Sequence, residues 1–373
     1  MSAQDENPLA QADHPGDVAE VDRLDRTHTR PSRGHSNAAL NVFGTLRASF
    51  GRYPSEWMLG IAFALLFLAW CVFAPYFLTI QNLMSVIEQA APIGIMAVGE
   101  TFVILEAGID LSVGRAYGLS GVVGALLMVK YGIFVGVIGT LAAGSLFGLV
   151  NGVLISYLNL PAFMVTLATL AIGGSLEQVV SGSQSVTGIP ASFGDLGTSG
   201  FGPIPYYVVL TVIVFVIGHV IAHYTKTGRF IYAIGNNAEA ARLAGINIRR
   251  YRLLPYVVTG FLCGVAVLIS TSFLLSIDPM AGEGLELQVI AAVVIGGVTL
   301  MGGRGTIIGT AIGTFFVAIL ANGLNLLNVS PHWQGTAIGS VIVFAIILEP
   351  GYLLLRNFVQ SRKTGGSGTQ EGK

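Results

Sequence analysis

The chain has 373 residues, of which 53% are hydrophobic and 10% are charged, with 49 glycines and a formal net charge of −1. Soluble domains carry about 25% charged residues, so this composition excludes a soluble globule and predicts an all-α polytopic membrane protein. The near-zero net charge gives no indication of binding to nucleic acid.

Apolar runs long enough to span a bilayer recur along the chain. A spanning helix needs about 20 apolar residues, because lipid offers its backbone no hydrogen-bond partners. On that basis we predict about ten transmembrane helices, at 57–78, 83–105, 114–130, 132–157, 161–181, 206–224, 253–276, 286–303, 305–328 and 333–355. The polar sequence Gly108–Ser112 interrupts the pattern between the second and third runs and is a candidate re-entrant segment.

Basic residues set the predicted orientation. Lys and Arg concentrate before the first run, between the sixth and seventh, and after the tenth. Positive charge marks the cytoplasmic side, so both termini are predicted to be cytoplasmic. Residues 1–56 are predicted to form a disordered cytoplasmic tail, 57–355 a transmembrane domain, and 356–373 a flexible cytoplasmic tail. The polar segment at 182–205 contains no Lys or Arg and is predicted to form turns outside.

The basic loop at 225–252 contains a signal for a short cytoplasmic helix. Asn237 is a candidate N-cap, Ala238–Ala244 is built from strong helix formers, and Gly245 follows where the helix would end. A helix of about two turns is marginal by itself, so it must pack on something else. The loop favours either docking to a partner protein or contact with phospholipid headgroups.

Glycines are arranged in two further patterns. Gly144, Gly148 and Gly152, and again the series 305, 309 and 313, are spaced four apart, which places them on one helix face and predicts close packing. The glycine-rich sequence 296–305 predicts a tight turn or a broken helix. It lacks the spacing of a nucleotide-binding loop, so we predict that the chain has no ATP site of its own.

Polar side chains inside apolar runs are functional candidates, because burying them in lipid is costly. Arg115 is a candidate partner for Asp110. Neither a metal-ligand cluster nor a catalytic constellation is predicted. Six side chains are predicted for a substrate pathway, with hydrogen bonds between helices as the alternative: Glu100, Asp110, Asn151, Thr166, Asn322 and Asn325.

Four ordered stretches together resemble the ribose-type permeases of ATP-binding-cassette (ABC) importers, in the branched-chain amino acid/ribose permease family. Gly108–Gly114 resembles the family signature GGIDLSVG, and the resemblance extends through 228–246, 296–313 and 322–327. It implies a type II (vitamin B12-importer-like) permease fold in a bacterial inner membrane. The implied substrate is a monosaccharide, either a ribose-like pentose, a hexose or a polyol.

The resemblance also implies partners. These are a cytoplasmic ABC ATPase that binds the ATP, a periplasmic sugar-binding protein, a second permease subunit in a homodimer, and the lipid bilayer, without nucleic acid or a cofactor of the chain's own. Four residues match the first half of the ATPase-coupling motif: Glu239, Ala240, Ala241 and Gly245. The chain departs from the family pattern at Ala107, at Glu100, and at 173–174, where two glycines stand instead of an expected arginine.

A competing interpretation is a proton-coupled secondary sugar transporter. It would use Glu100 together with the pair Glu106 and Asp110. Such carriers contain inverted repeats, and no convincing repeat is visible in the sequence. The competing class also leaves the helix ending at Gly245 unexplained.

Overall fold

In the computed structural model the described residues are 54–330 and 333–344, and most of them are helical. The helices are α1 (Pro54–Phe73), α2 (Ile80–Leu105), α3 (Val113–Tyr131), α4 (Ile133–Ser156), α5 (Ala162–Ser181), α6 (Asp195–Thr198), α7 (Tyr206–Tyr224), α8 (Lys226–Asn236), α9 (Ala238–Leu243), α10 (Ile248–Leu274), α11 (Leu285–Ile295), α12 (Ile307–Leu326) and α13 (Trp333–Phe344). The two predicted tails lie outside the described residues, except that α1 already begins at Pro54.

Seven of these helices are long and apolar enough to cross a membrane, namely α2, α3, α4, α5, α7, α10 and α12. Three shorter apolar helical segments occupy the other predicted spans: Gly60–Phe73, Leu285–Ile295 and Trp333–Phe344. The prediction of a multi-pass, all-α membrane protein is therefore confirmed.

The predicted span at 286–303 differs from the structure. Its helix, α11, has 11 residues, which gives a length of about 16 Å where a bilayer core is about 30 Å thick. Beyond it Gly297, Gly302, Gly303 and Gly305 all have positive φ, a conformation that only glycine adopts readily. The chain therefore turns after a broken helix, as the glycine-rich sequence indicates.

Glycines bring the central helices into backbone contact. On α4, a Cβ at Gly144 would overlap the carbonyl of Gly260 in α10, and one at Gly148 would overlap the carbonyl of Tyr256. This confirms the close packing predicted for that series. In the second series Gly309 and Gly313 contact α11 in the same way. The prediction is wrong for residue 305, because α12 begins only at Ile307 and residue 305 belongs to the turn.

The segment between α5 and α7 contains only short elements. It forms a 3-10 turn at Ala191–Gly194, then α6, and then a hairpin of β1 (Gly200–Phe201) and β2 (Ile204–Pro205). The two strands are antiparallel, with residue 200 opposite 205 and residue 201 opposite 204. A further bridge pairs Val186 with Ile277, which ties this segment to the end of α10. The prediction of turns in this segment is confirmed.

Candidate functional site

The connection from α2 to α3 turns back into the protein. After α2 ends, Ala107 adopts a φ of 67°, and the amide of Gly108 donates to the carbonyl of Val103 at 2.9 Å. The segment then reaches Glu100, whose Oε1 accepts the amide of Asp110 at 3.1 Å. Glu100 lies five residues before the end of α2, about 8 Å along the helix. Residues 106–112, here called the re-entrant segment, confirm the predicted break.

A polar cluster holds this segment in place. Asp110 Oδ1 accepts the amide of Ser112 at 2.9 Å and its hydroxyl at 2.5 Å. The side-chain amide of Asn151 in α4 donates to Ser112 Oγ at 2.7 Å. Thr166 in α5 donates to the carbonyl of Ile109 at 3.2 Å. The side chains of the polar cluster come from α2, α4, α5 and the segment itself, and they are buried: Glu100, Asp110, Ser112, Asn151 and Thr166.

Four of the six residues predicted for the pathway thus belong to one cluster. In this conformation they bond to the protein and fix the re-entrant segment. Two of their oxygens, Glu100 Oε2 and Asn151 Oδ1, have no hydrogen-bond partner among the described residues. Sequence reasoning missed Ser112 as a member of this cluster. A signal is present, because an Asp side chain often accepts the amide two residues later, in an Asx turn.

The other two predicted residues lie elsewhere. Asn322 in α12 exchanges two hydrogen bonds with Asn82 in α2, at 2.9 and 3.0 Å. Asn325 Oδ1 accepts from the side-chain amide of Gln334 at 2.6 Å. The structure therefore does not bring the six residues together in one place.

The amide pair between α2 and α12 allows a direct test of packing. We expect Asn82→Ala and Asn322→Ala each to lower the free energy of unfolding. The double variant should lower it by less than the sum of the two single variants. The coupling free energy should be about 0.6–2 kcal/mol, the range for hydrogen bonds between transmembrane helices. Unfolding of the four proteins in detergent measures it, and additive effects would contradict the pairing.

Arg115 does not pair with Asp110, so that prediction is wrong. Its Nη1 lies 3.0 Å from Glu177 Oε2 in α5, and its Nη2 lies 3.4 Å from Glu283 Oε2. The Asp110 Oδ1 atom is already occupied by two hydrogen bonds from Ser112. The cation consequently binds carboxylates on two other elements.

Two glycines of α5 make room for the arginine. A Cβ at Gly173 would lie 2.7 Å from Arg115 Cβ, and one at Gly174 would lie 3.1 Å from its Nε. The family pattern leads us to expect an arginine on α5 at this place. In this chain α5 has two glycines there, and the guanidinium beside them comes from Arg115 in α3.

The short helix predicted in the loop at 225–252 forms. Asn237 caps α9, because its Oδ1 accepts the amide of Ala240 at 2.9 Å. At the other end Gly245 has a φ of 82°, and its amide donates to the carbonyl of Arg242 at 3.0 Å. Ala241 is the buried residue of the helix. Sequence reasoning missed the preceding helix, α8, whose signals are a capping threonine at 225 and an apolar face.

The outer surface of α9 carries one ion pair and two apolar side chains. Glu239 and Arg242 form an exposed ion pair with hydrogen bonds of 2.9 and 2.5 Å, and the arginine lowers the pKa of the Glu239 carboxyl. Ala240 is exposed, and the side chain of Leu243 is 75% exposed. Leu243 and Ala240 are thus the apolar side chains that α9 presents on its exposed side.

Helix α8 connects α9 to the glycine turn. The hydroxyl of Tyr232 donates to the carbonyl of Gly305 at 2.7 Å, and Asn236 Nδ2 donates to the carbonyl of Gly303 at 3.3 Å. The amide of Gly303 in turn donates to the carbonyl of Leu105, the last residue of α2, at 2.9 Å. A continuous series of contacts therefore runs from α9 to the start of the re-entrant segment.

The described part of the chain contains no group of three or more His, Cys, Asp or Glu side chains that could hold a metal ion. The polar side chains of the two regions above form hydrogen bonds and ion pairs.

Comparison with known proteins decides the family. Residues 82–347 match the model of the family described as the branched-chain amino acid transport system / permease component. The chain belongs to this family. The match includes the re-entrant segment, α8, α9 and the glycine turn.

Characterised relatives agree with the resemblance seen in the sequence, which is thereby confirmed. The chain is 39% identical over 281 residues to the ribose import permease protein RbsC of Escherichia coli (strain K12), covering 74% of this chain and 88% of the relative. It is 35% identical to the D-allose transport system permease protein AlsC of the same organism, covering 74% and 85%. It is 34% identical to the fructose import permease protein FrcC of Rhizobium meliloti, covering 71% and 76%.

Proposed function

We propose that this protein is the transmembrane permease subunit of an ATP-driven ABC importer for a monosaccharide, meaning a pentose, a hexose or a polyol. The relatives named for ribose, allose and fructose import support the substrate class. The protein would span a bacterial inner membrane about ten times in a type II permease fold, with both termini in the cytoplasm. Two copies would form the pathway, and a periplasmic binding protein would deliver the sugar.

The observation that carries the proposal is the exposed helix α9 with its connection to the glycine turn. The proposal assigns ATP binding to a separate cytoplasmic ATPase. That ATPase would hold α9 through Leu243 and the residues matched to the coupling motif. Movement of α9 would pass through Tyr232 and Asn236 to the glycine turn and the end of α2. Packed helices joined by close glycine contacts can switch between two arrangements, as alternating access requires.

Reconstitution tests this function. The full importer, with its cognate ATPase and binding protein, is placed in proteoliposomes and assayed for uptake of labelled ribose, allose and fructose. We expect uptake of at least one sugar that requires ATP and all three components. The proton-coupled alternative predicts uptake by this chain alone, driven by a proton gradient and abolished by a protonophore while ATP is present.

Leu243 provides the sharpest test of coupling. We expect Leu243→Ser to lower ATP-driven uptake about tenfold, because a leucine that fills a partner's groove contributes about 1.5–3 kcal/mol. The protein itself should keep its thermal stability, since Leu243 is 75% exposed. Uptake and ATP hydrolysis are measured together, and affinity purification shows whether the ATPase stays bound.

A matched control is Leu158→Ser, which changes a 61% exposed leucine after the end of α4. This variant should leave uptake unchanged. Equal uptake by Leu243→Ser and the wild type would refute the coupling role of α9.

A further inference from the structure

A charged cluster lies apart from the polar cluster and from α9. We call it the arginine cluster, and it consists of Arg115, Glu177, Glu283 and Glu286. Arg115 bridges Glu177 and Glu283, while Glu286 Oε2 and Glu177 Oε1 are buried without a hydrogen-bond partner among the described residues. Two carboxylates thus contact one guanidinium, and a third carboxylate, that of Glu286, lies beside Gly114 at the start of the helix that carries Arg115.

The lengths of α11 and α3 show how deep the arginine cluster lies within the transmembrane domain. Helix α11 begins just after Glu283 and runs about 16 Å to the glycine turn. That turn contacts the end of α2 and the α8 helix. Beside Glu283, a Cβ at Gly114 would overlap the carbonyl of Gly282. Along α3, Gly114 lies about 25 Å from Tyr131. The cluster is therefore well inside the thickness of the transmembrane domain.

The cluster is nevertheless open to the surface of the chain. The side chain of Glu283 is 54% exposed and that of Arg115 is 16% exposed. Charged side chains at membrane depth are costly in lipid, and they face the bundle interior or a water-filled space. The exposed side of the cluster therefore faces either an interior between subunits or a water-filled space.

We propose that Arg115 and Glu283 line the aqueous translocation pathway and bind the hydroxyl groups of a neutral sugar or polyol there. This inference rests on the proposed function and adds the residues that contact the substrate. A sugar hydroxyl can donate to the carboxylate of Glu283 and accept from the guanidinium of Arg115. A donor and an acceptor side by side suit the hydroxyl groups of a neutral polyhydroxylated ligand.

Glu177 is a positioning residue in this arrangement. Its side chain is fully buried, and its Oε2 holds Arg115 Nη1 at 3.0 Å. Gly173 and Gly174 leave room for the arginine on the other side. Arg115 Nη2 lies 3.4 Å from Glu283 Oε2. A preorganised donor loses less conformational freedom on binding a hydroxyl than a free one does.

Cysteine labelling tests the aqueous location without any assumption about the substrate. The Glu283→Cys variant of the full importer in proteoliposomes is treated with a charged, membrane-impermeant methanethiosulfonate, against the background of Cys71 and Cys263 in the wild type. The matched control is Leu146→Cys, which changes a 61% exposed residue of α4. We expect the Glu283→Cys variant to react at least about tenfold faster than Leu146→Cys. Equally slow reaction of both would overturn the proposal.

Transport assays test the sugar contact. With ribose, allose and fructose as probes, we expect Glu283→Gln and Arg115→Lys to raise the apparent KM about tenfold, as loss of a charged hydrogen bond does. Glu283→Asp should restore part of the uptake, because it keeps the carboxylate. An unchanged KM in both variants, with rapid labelling at position 283, would overturn sugar binding. Failure of the wild type to transport any of the three sugars would instead count against the proposed function, and the labelling result would still stand.

Discussion

Gly144→Ala is expected to destabilise the protein by about 1–3 kcal/mol, although alanine is the better helix former. A methyl group at Gly144 would overlap the carbonyl of Gly260, and one at Gly260 would overlap the carbonyl of Gly144. Both obstacles are backbone atoms, which cannot rotate away as a side chain can. Helices α4 and α10 must therefore separate, and they would lose contacts along their whole interface.

The measurement is thermal or denaturant unfolding of the detergent-solubilised protein, with Gly60→Ala as the matched control. A Cβ at Gly60 in α1 has nothing within 4 Å. The same substitution should be neutral there or stabilise by up to about 1 kcal/mol. Gly260→Ala should resemble Gly144→Ala, and the double variant should cost less than the sum, because one separation of the helices relieves both overlaps. A stabilised Gly144→Ala protein would contradict this packing.

Local patterns in the sequence are sufficient to predict several parts of this fold. Apolar runs predict the long helices, because a span must satisfy its own backbone. The α9 helix follows from a cap, seven residues of helix formers and a glycine stop, all of which act within a few residues. The glycine series on α4 predicts close contact for the same reason, since spacing alone places its members on one face.

Contacts between distant parts of the chain are not predictable in this way. Arg115 has an acid five residues before it, yet it binds Glu177 and Glu283, which are far along the chain. Only the folded arrangement shows that the carboxylate of Asp110 already accepts two hydrogen bonds from Ser112. The early end of α11 is likewise not predictable from its apolar run. Hydropathy does not detect the positive φ angles of the glycines that follow this helix.

Pathway residues are predicted least well, for a physical reason. A polar group in an apolar run is costly unless it finds a partner, and either water or protein can be that partner. Glu100 and Asn151 find protein partners in the polar cluster, whereas Glu283 lies on an exposed surface. Residue 283 lies in a connection between helices, so a search restricted to apolar runs omits it.

Asp110→Ala is also expected to have a large effect. It should lower the free energy of unfolding by about 2–4 kcal/mol, and transport activity should fall with it. The substitution removes the acceptor for two hydrogen bonds from Ser112. The Ser112 amide at the start of α3 would then be buried without a partner, which costs more than the bond itself contributes. Asp110→Asn keeps an oxygen acceptor of the same shape and should retain most of the stability.

Asp278 supplies the matched control, because its Oδ1 accepts the amide of Met280 two residues later at 2.7 Å, in the same local geometry but on the exposed surface. Water can replace that bond, so Asp278→Ala should cost no more than about 0.5 kcal/mol. Unfolding in detergent compares the three variants with the wild type. If Asp110→Ala and Asp278→Ala cost the same, burial of the re-entrant segment contributes nothing to its stability. If Asp110→Ala alone is costly, the re-entrant segment is held by the polar cluster, and α3 begins inside the protein because Asp110 stabilises its first turn there.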